Sequence, residues 1–468
     1  METKRRGLVL LVMTTGMFLI LLDVTVVNVA VPAITAGLRT STADVQWVVD
    51  GYTVALASLL LAGGTLGDRF GHRQTVLAGL VVFGAASAGC ALAATPGTLI
   101  AARVVQGIGA ALLLPGSLAA IADAYPGRAE QARALGLWAA ASALALPAGP
   151  LLGGLIVSTL GWRAVFWINP PVVAACLIGV LTLVQPSPHA RPGRRFDLGG
   201  LALATLALAS AVYAVIAAGD SAGPAAVAAA AVAIAAGSGF IAVERRVAAP
   251  LVPLSVFAKP AFRVANTAAL VMNLTANGLL FLLTRYLQSV QGHSALAAGL
   301  MLLPLFAPMA VLSPLAGRLA ARRGPRPVMI AGATLAAAGM LGLLAVTPAA
   351  PYARILPALA GMGLGIGTFT APVVAAAIRA LPPDRSGLAS GINNTARQAG
   401  TALGVAVFGA IAGSPSEPQH FVTALRILGA ASALLWLLVI VMTVRVRPTP
   451  EGRPSEAAVG RSHPTLKS

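Results

Sequence analysis

The sequence predicts an all-α polytopic membrane protein: two parallel six-helix bundles with two additional transmembrane helices inserted between them. Three observations predict it. Of 468 residues, 57% are hydrophobic and only 10% charged, against roughly 25% charged in soluble chains. Apolar windows of about 20 residues, the length that crosses a bilayer, tile the chain. And a basic segment that follows the second window recurs after the tenth.

The first window, 8–33, follows Lys4, Arg5 and Arg6. It is too long for a signal peptide and lacks a convincing small-residue cleavage site, so it reads as a retained helix. Within it lies LILLDVTVVNVAVP, Leu19 to Pro32. An aspartate at mid-span costs roughly 2.5–3.5 kcal/mol on the insertion scale, so something must compensate Asp23 or use it. Windows 46–66, 75–95, 98–122, 134–158 and 165–184 complete a first group of six. Windows 198–218 and 224–243 come next, the second of them Ala-rich. The final six are 263–287, 296–316, 327–347, 353–378, 394–413 and 422–444, of which 394–413 starts among polar residues. The total is fourteen. The tail 447–468, rich in Pro and polar groups, reads as disordered.

Loop charge tests this count. With the N-terminus in the cytoplasm, the inner segments hold 26 of the 32 Lys and Arg residues, counting Arg397 with Arg379 and Arg385 in the last inner loop. The outer loops hold Arg39, Arg163, Arg285, Arg354 and Arg426, and Arg103 lies within a span. The positive-inside rule therefore places both termini in the cytoplasm of a plasma-membrane protein. The formal charge of +18 is accounted for by topology, without a nucleic-acid partner.

The repeat fixes the organisation. GTLGDRFGHR (Gly64 to Arg73) and GRLAARRGPR (Gly317 to Arg326) share Gly64, Leu66, Arg69, Gly71 and Arg73 without gaps, while Asp68 meets Ala321. The offset spans eight windows and both copies fall inside, so two extra helices separate two six-helix halves. The divisions expected are 1–190, 191–248 for the inserted pair, 249–446, and the tail 447–468.

These residues carry a family resemblance. Gly64–Arg73 resembles the signature loop of the major facilitator superfamily, and ARVVQGIGAALLLPG (Ala102 to Gly116) resembles its fourth-helix motif. LPAGPLLGG, with Pro147, Gly149, Pro150, Gly153 and Gly154, resembles its fifth-helix antiporter motif. LDVTVVNVAVP, GWRAVFWINPP (Gly161 to Pro171) and SGLASGINNTARQAGTALGVAVFG (Ser386 to Gly409) are similar to the fourteen-helix drug:proton antiporter branch. The resemblance implies proton-coupled export of small lipophilic or cationic compounds. It also implies that Gly64–Arg73 works as a latch between the halves, with no cofactor and with a monomer as the working unit.

Each motif also has a plainer reading. GDRFG makes a tight turn in which Gly supplies the bend and Asp68 caps a helix. Gly149 and Gly153 lie four apart, the spacing of close helix packing, and Pro150 is a place for a bend. Asn266, Asn273 and Asn277 share one face of the ninth span, for interhelical hydrogen bonds or for substrate. Trp47, Trp162 and Trp167 fall at span ends, where an interfacial belt is expected.

Depth brings the charges together. Asp23 lies about 22 Å from the inner end of the first helix, while Asp50 and Arg103 lie about 6 and 8 Å from the outer ends of theirs. Asn28 and Gln106 sit beside them in sequence. A carboxylate beside an arginine in low dielectric is a structural ion pair or a proton switch. Asp23 is then a proton or substrate-cation site. Asp50 is a second such site or only a cap on the outer end of its helix.

Other classes are poorly served. No GxxxxGK[ST] phosphate loop is present, and the five histidines are scattered without metal-ligand spacing. Cys90 and Cys176 lie in apolar spans and form no disulfide or metal framework. The chain is not expected to be an enzyme or to hold a metal. A channel, or an exporter of an endogenous metabolite, remains as the alternative.

Overall fold

The computed structural model describes residues 2–125, 127–185, 197–220, 223–247, 250–382 and 385–446. The expected tail 447–468 lies outside them, and so do the side chains of Asp68, Pro147 and Asp220. Every described element is helical. The first half comprises α1 (Glu2–Leu38), α2 (Thr42–Phe70), α3 (His72–Ala91), α4 (Pro96–Ala124), α5 (Arg128–Leu160), α6 (Ala164–Trp167) and α7 (Asn169–Leu183). A hairpin of α8 (Leu198–Asp220) and α9 (Pro224–Glu244) follows. Then come α10 (Pro260–Arg285), α11 (Ala295–Met301), α12 (Leu303–Arg323), α13 (Pro325–Leu341), α14 (Tyr352–Arg379), α15 (Ser386–Ala412) and α16 (Pro418–Arg445). Eleven of the described helical segments are long and apolar enough to cross a membrane.

Helix ends follow local chemistry. Ser41 caps α2 in a capping box with Asp44, and Thr95 does the same for α4 with Thr98 ahead of Pro96. Gly71 and Gly324 end α2 and α12 at φ of +96° and +81°, a conformation that costs a side chain strain. The sixth and tenth windows, expected as single helices, are each broken, between Trp167 and Asn169 and at Leu302. Pro170 and Pro304 lack the N–H that would continue the ladder. The first and second helices overrun their windows at both ends, and α15 starts eight residues before its window. Polar residues that hydropathy excludes are helical here.

Packing repeats between the halves. Gly149 and Gly153 of α5 lie against Thr25 and Val26 of α1; Gly400 and Gly404 of α15 lie against the Leu270 and Leu274 backbone of α10. Gly109 of α4 abuts Phe83 and Gly79 of α3, as Gly365 of α14 abuts Ala336 of α13. The loops match as well. Arg73 donates to the Leu181 carbonyl at the end of α7, and Arg326 to the Val444 carbonyl at the end of α16.

Both described ends lie on one face. The far ends of α1 and α10 meet where Gln288 donates to the Val29 carbonyl (3.0 Å), and the start of α16 reaches the same level where Arg285 stands over the Phe421 ring. Away from this near face, one continuous buried cluster runs from Val31 and Val49 in the first half to Phe281 and Phe408 in the second. Towards the near face the halves keep separate cores, one around Met13, Leu60 and Val76, the other around Phe262 and Ala389. Among the described residues, the hydrogen bonds joining the halves all lie on the far side. Gln46 donates to the Val405 and Ala406 carbonyls, Arg285 to Thr42 Oγ1, and Gln288 to Val29. Glycine brings backbones together there too, Gly154 on Ala295 and Gly299 on the Pro150 carbonyl. The hairpin is anchored through Val212 and Ile216 of α8, which pack on Val54 of α2 and Ala402 and Ala406 of α15.

A side chain at Gly109 would begin 2.6 Å from the Phe83 nitrogen. Gly109→Val is expected to cost about 1–3 kcal/mol by overpacking. Thermal unfolding of the detergent-purified protein checks this, and an unchanged Tm would contradict the close α3–α4 approach.

Candidate functional site

Five helices converge on Asp23. It is buried in α1, and its Oδ2 accepts a charge-assisted hydrogen bond from Arg103 Nη1 of α4. Its Oδ1 accepts from Gln106 Nε2 (3.0 Å) and from Asn169 Nδ2 (3.1 Å). Arg103 and Gln106 share a face of α4 three residues apart, and Arg103 Nη1 also donates to Gln106 Oε1 at 2.6 Å. Arg103 Nε donates to the Val48 carbonyl of α2 (2.9 Å), and the guanidinium lies over the Tyr52 ring, 4.3 Å from its centroid. Ser87 of α3 accepts from Gln106 (2.8 Å) and Asn169 (3.2 Å) and donates to the Phe83 carbonyl. Asn169 opens α7 at the Pro170–Pro171 break, which turns its amide inward.

Chemically, this is a closed network. Both carboxylate oxygens are occupied, and the two charges cancel. An isolated charge in this setting would cost several kcal/mol, and the pair is tolerable because its remaining donors and acceptors are satisfied. Both side chains are at most 1% exposed.

Asp50 is different. The alternative that it caps the outer end of its helix is corrected: α2 begins at Thr42, its cap is Ser41 with Asp44, and Asp50 is the ninth residue. The window started late because the polar first turn, with Thr42 and Asp44, lowered its hydropathy. Asp50 therefore lies about 12 Å along the helix rather than 6. It is fully buried, and neither carboxyl oxygen has a hydrogen-bond partner. One turn either side, Gln46 bonds α15 and Val54 packs on α8 and α15. Neither Asp23 nor Asp50 reaches a cavity in this conformation; they are 3% and 0% exposed.

The other expected residues divide. Asn28 donates to the Val24 carbonyl in its own helix and stays outside the Asp23 network. Asn266 accepts from Asn393 (3.3 Å) and Asn277 donates to Thr401 Oγ1 (3.1 Å), so both join α10 to α15; Asn273 bonds its own helix at Ala269. Gly149 and Gly153 pack α5 on α1, whereas Gly154 and the Pro150 carbonyl meet the second half. α5 runs unbroken through Pro147 and Pro150. Gly64 faces Pro115 of α4, Arg69 lies over the Phe70 ring, Gly71 makes the turn and Arg73 ties it to α7. Sequence reasoning missed Asn169, Ser87 and Tyr52. Asn169 lay inside the quoted GWRAVFWINPP, and as the one amide in an apolar run it was open to the argument used for Asp23. Arg397 is a further correction: counted with the inner-loop arginines, it lies in the middle of α15.

The model of the Major Facilitator Superfamily matches residues 13–405 and again 268–467. The chain belongs to that superfamily. It is 36% identical over 399 residues to the multidrug resistance protein Stp of Mycobacterium tuberculosis, covering 85% of this chain and 74% of that one. With the puromycin resistance protein of Streptomyces alboniger it shares 38% over 417 residues, 87% of this chain and 82% of that one. With the tetracenomycin C resistance and export protein of Streptomyces glaucescens it shares 35% over 421 residues, covering 86% and 76%. Among solved structures, a D-xylose-proton symporter superposes at TM-score 0.67 with 17% identity, covering 93% of this chain and 98% of that one. Membership and fold make this chain a multi-pass membrane transporter rather than an enzyme.

Breaking the buried pair on one side strands a charge. Arg103→Leu alone is expected to lower stability by about 3–5 kcal/mol. The double change Asp23→Leu with Arg103→Leu should recover most of it. Thermal unfolding of the two variants measures the coupling; equal loss in single and double would show that the network, not the charge pair, sets the cost.

Proposed function

We propose that this transporter is a proton-coupled antiporter that exports small lipophilic compounds by alternating access. It belongs to the fourteen-helix branch, with two six-helix bundles and α8–α9 as the inserted pair. The near face, where the Lys and Arg residues concentrate, is cytoplasmic in a plasma membrane, and the monomer is the working unit. Drugs, biocides and antibiotics are the substrates, a reading supported by the antibiotic-resistance names of its relatives. Export of an endogenous metabolite or self-made antibiotic is the alternative, favoured by the relative named for both resistance and export.

The observation that carries the proposal is the contrast between the two buried carboxylates. Asp23 accepts three hydrogen bonds on its two oxygens, from Arg103, Gln106 and Asn169; neither oxygen of Asp50 accepts one among the described residues. In this far-closed conformation a proton is the ligand that Asp50 lacks. Movement of α4 against α1 would withdraw Arg103 from Asp23, and a proton then takes its place. Proton affinity is thereby tied to helix position, which is what exchange across a membrane requires. Asp68, Arg69 and Arg73 lie at the near face, where they hold one conformation without carrying a proton across. The separate near-face cores match a cleft open on that side.

In proteoliposomes with an imposed pH gradient, the wild-type protein should drive neutral and cationic dyes against their gradients with counterflow of protons. Asp23→Asn is expected to abolish the response to the gradient, and Asp50→Asn to reduce it at least tenfold. Wild-type flux indifferent to the gradient would sink the antiporter reading in favour of a channel. The fourteen-span topology has its own check: a cysteine placed at Asp220 should react with impermeant maleimide from outside the cell. Labelling only after permeabilisation would remove α8 and α9 as a membrane-crossing pair.

A further inference from the structure

The second half of the molecule holds a charge that the fold leaves unused. Arg397 lies on α15, eleven residues beyond Ser386 and fifteen before Ala412. That is about 17 and 23 Å from the two helix ends, near the middle of a bilayer core of about 30 Å. Its Nε is buried without a hydrogen-bond partner. No ion pair or side-chain hydrogen bond is made by its guanidinium among the described residues, and the side chain is partly exposed.

Among the described residues, no acid is placed to neutralise it. Between Leu251 and Val446 the only acids are Asp384, thirteen residues earlier in the chain, and Glu417, at the far-side start of α16. In the first half, Asp23 is held by Arg103, and Asp50 is enclosed on α2.

The helix that carries Arg397 is tied to its neighbour on both sides. One turn before it Asn393 bonds Asn266, and one turn after it Thr401 bonds Asn277, so two rungs tie α15 to α10 on either side. Gly400 and Gly404 bring the two backbones into contact along the same stretch. Asn273, between the two rungs on α10, directs its amide into its own helix.

An unpaired guanidinium at this depth costs several kcal/mol. It cannot shed the charge, because arginine stays protonated in proteins. A planar fork of donors held in place without a carboxylate fits an anion that arrives from elsewhere.

We propose that Arg397 anchors an anion subsite in the second half, and that exported compounds include lipophilic molecules bearing a carboxylate or an ionised phenol. The compound enters from the near face, where the two halves have separate cores. This rests on the export reading above and names a substrate class for it, opposite in charge to the cation first expected from Asp50.

Three dansyl probes of one shape test it: dansylglycine (acid), dansylglycinamide (neutral) and dansylethylenediamine (cation), titrated onto the protein in nanodiscs. The wild type should bind the acid most tightly. Arg397→Gln should weaken the acid by roughly 10- to 100-fold, the worth of one charged hydrogen-bond pair, and leave the amide within twofold. Arg397→Lys should fall between. Arg397→Gln should also keep or raise Tm, since it removes an uncompensated charge. Equal weakening of acid and amide, a preference for the amine, or a clear fall in Tm would each overturn the subsite. So would rescue of dansylglycinamide transport by Asp50→Arg with Arg397→Asp, which would make Arg397 a contact between the halves. Proton counterflow with dansylglycinamide is read separately: its absence counts against antiport, whatever the binding order of the three probes.

Discussion

The hydrogen-bonded pair of Asp23 and Arg103 is the interaction on which the first half of the molecule depends. In hydrocarbon a lone charge has no solvent to turn to, so the pair recruits whatever donors and acceptors surround it. It finds them on five helices: the Val48 carbonyl of α2, Ser87 of α3, Gln106 of α4 and Asn169 at the head of α7, around Asp23 of α1. Each partner fixes the rotation of its helix. Aromatic faces complete the enclosure, with Tyr52 beneath the guanidinium. A network so fully satisfied tolerates few alternative packings, and its members must shift together if they shift at all.

What holds the helices at contact is a different force. Lipid is as apolar as the helices, so apolar side chains gain little by meeting. Close backbone approach takes over, and glycine supplies it. The same device appears twice, at Gly149 and Gly153 of α5 and at Gly400 and Gly404 of α15. The two halves are therefore alike in their joints and unlike in their charges. The first half encloses an ion pair and a bare carboxyl; the second holds a partly buried guanidinium without an ion-pair partner among the described residues.

That asymmetry bears on motion. On the far side, Gln46, Arg285 and Gln288 reach across to backbone carbonyls or a hydroxyl, and Gly154 and Gly299 admit the opposing helix. Such bonds are individually modest, near 1 kcal/mol each, and are replaced by water when the seam opens. α8 sits along the α2–α15 part of this seam, where Gly219 meets Ala410. An opening of the far side has to carry or slide past that helix.

Much of the fold was legible because the bilayer imposes it. Hydrocarbon demands helices of a given length, so apolar windows locate them. A gapless basic repeat reveals two copies, and its paired arginines do find equivalent partners at Leu181 and Val444. The closeness of Asp23 and Arg103 also followed, since depth along a straight helix is a matter of counting residues. Hydropathy failed where polar residues continue a helix. It began the second span after Asp44, and so it misplaced Asp50 as a cap; Arg397 fell inside the thirteenth window, 394–413, and was still counted with the loop charges. Rotation about each helix axis, unlike depth, is set by neighbours that are distant in sequence. Only the tertiary structure could show that Asn169 turns toward Asp23 while Asn28 turns to its own helix, or that the Asp50 carboxyl and Arg397 Nε find no hydrogen-bond partner among the described residues.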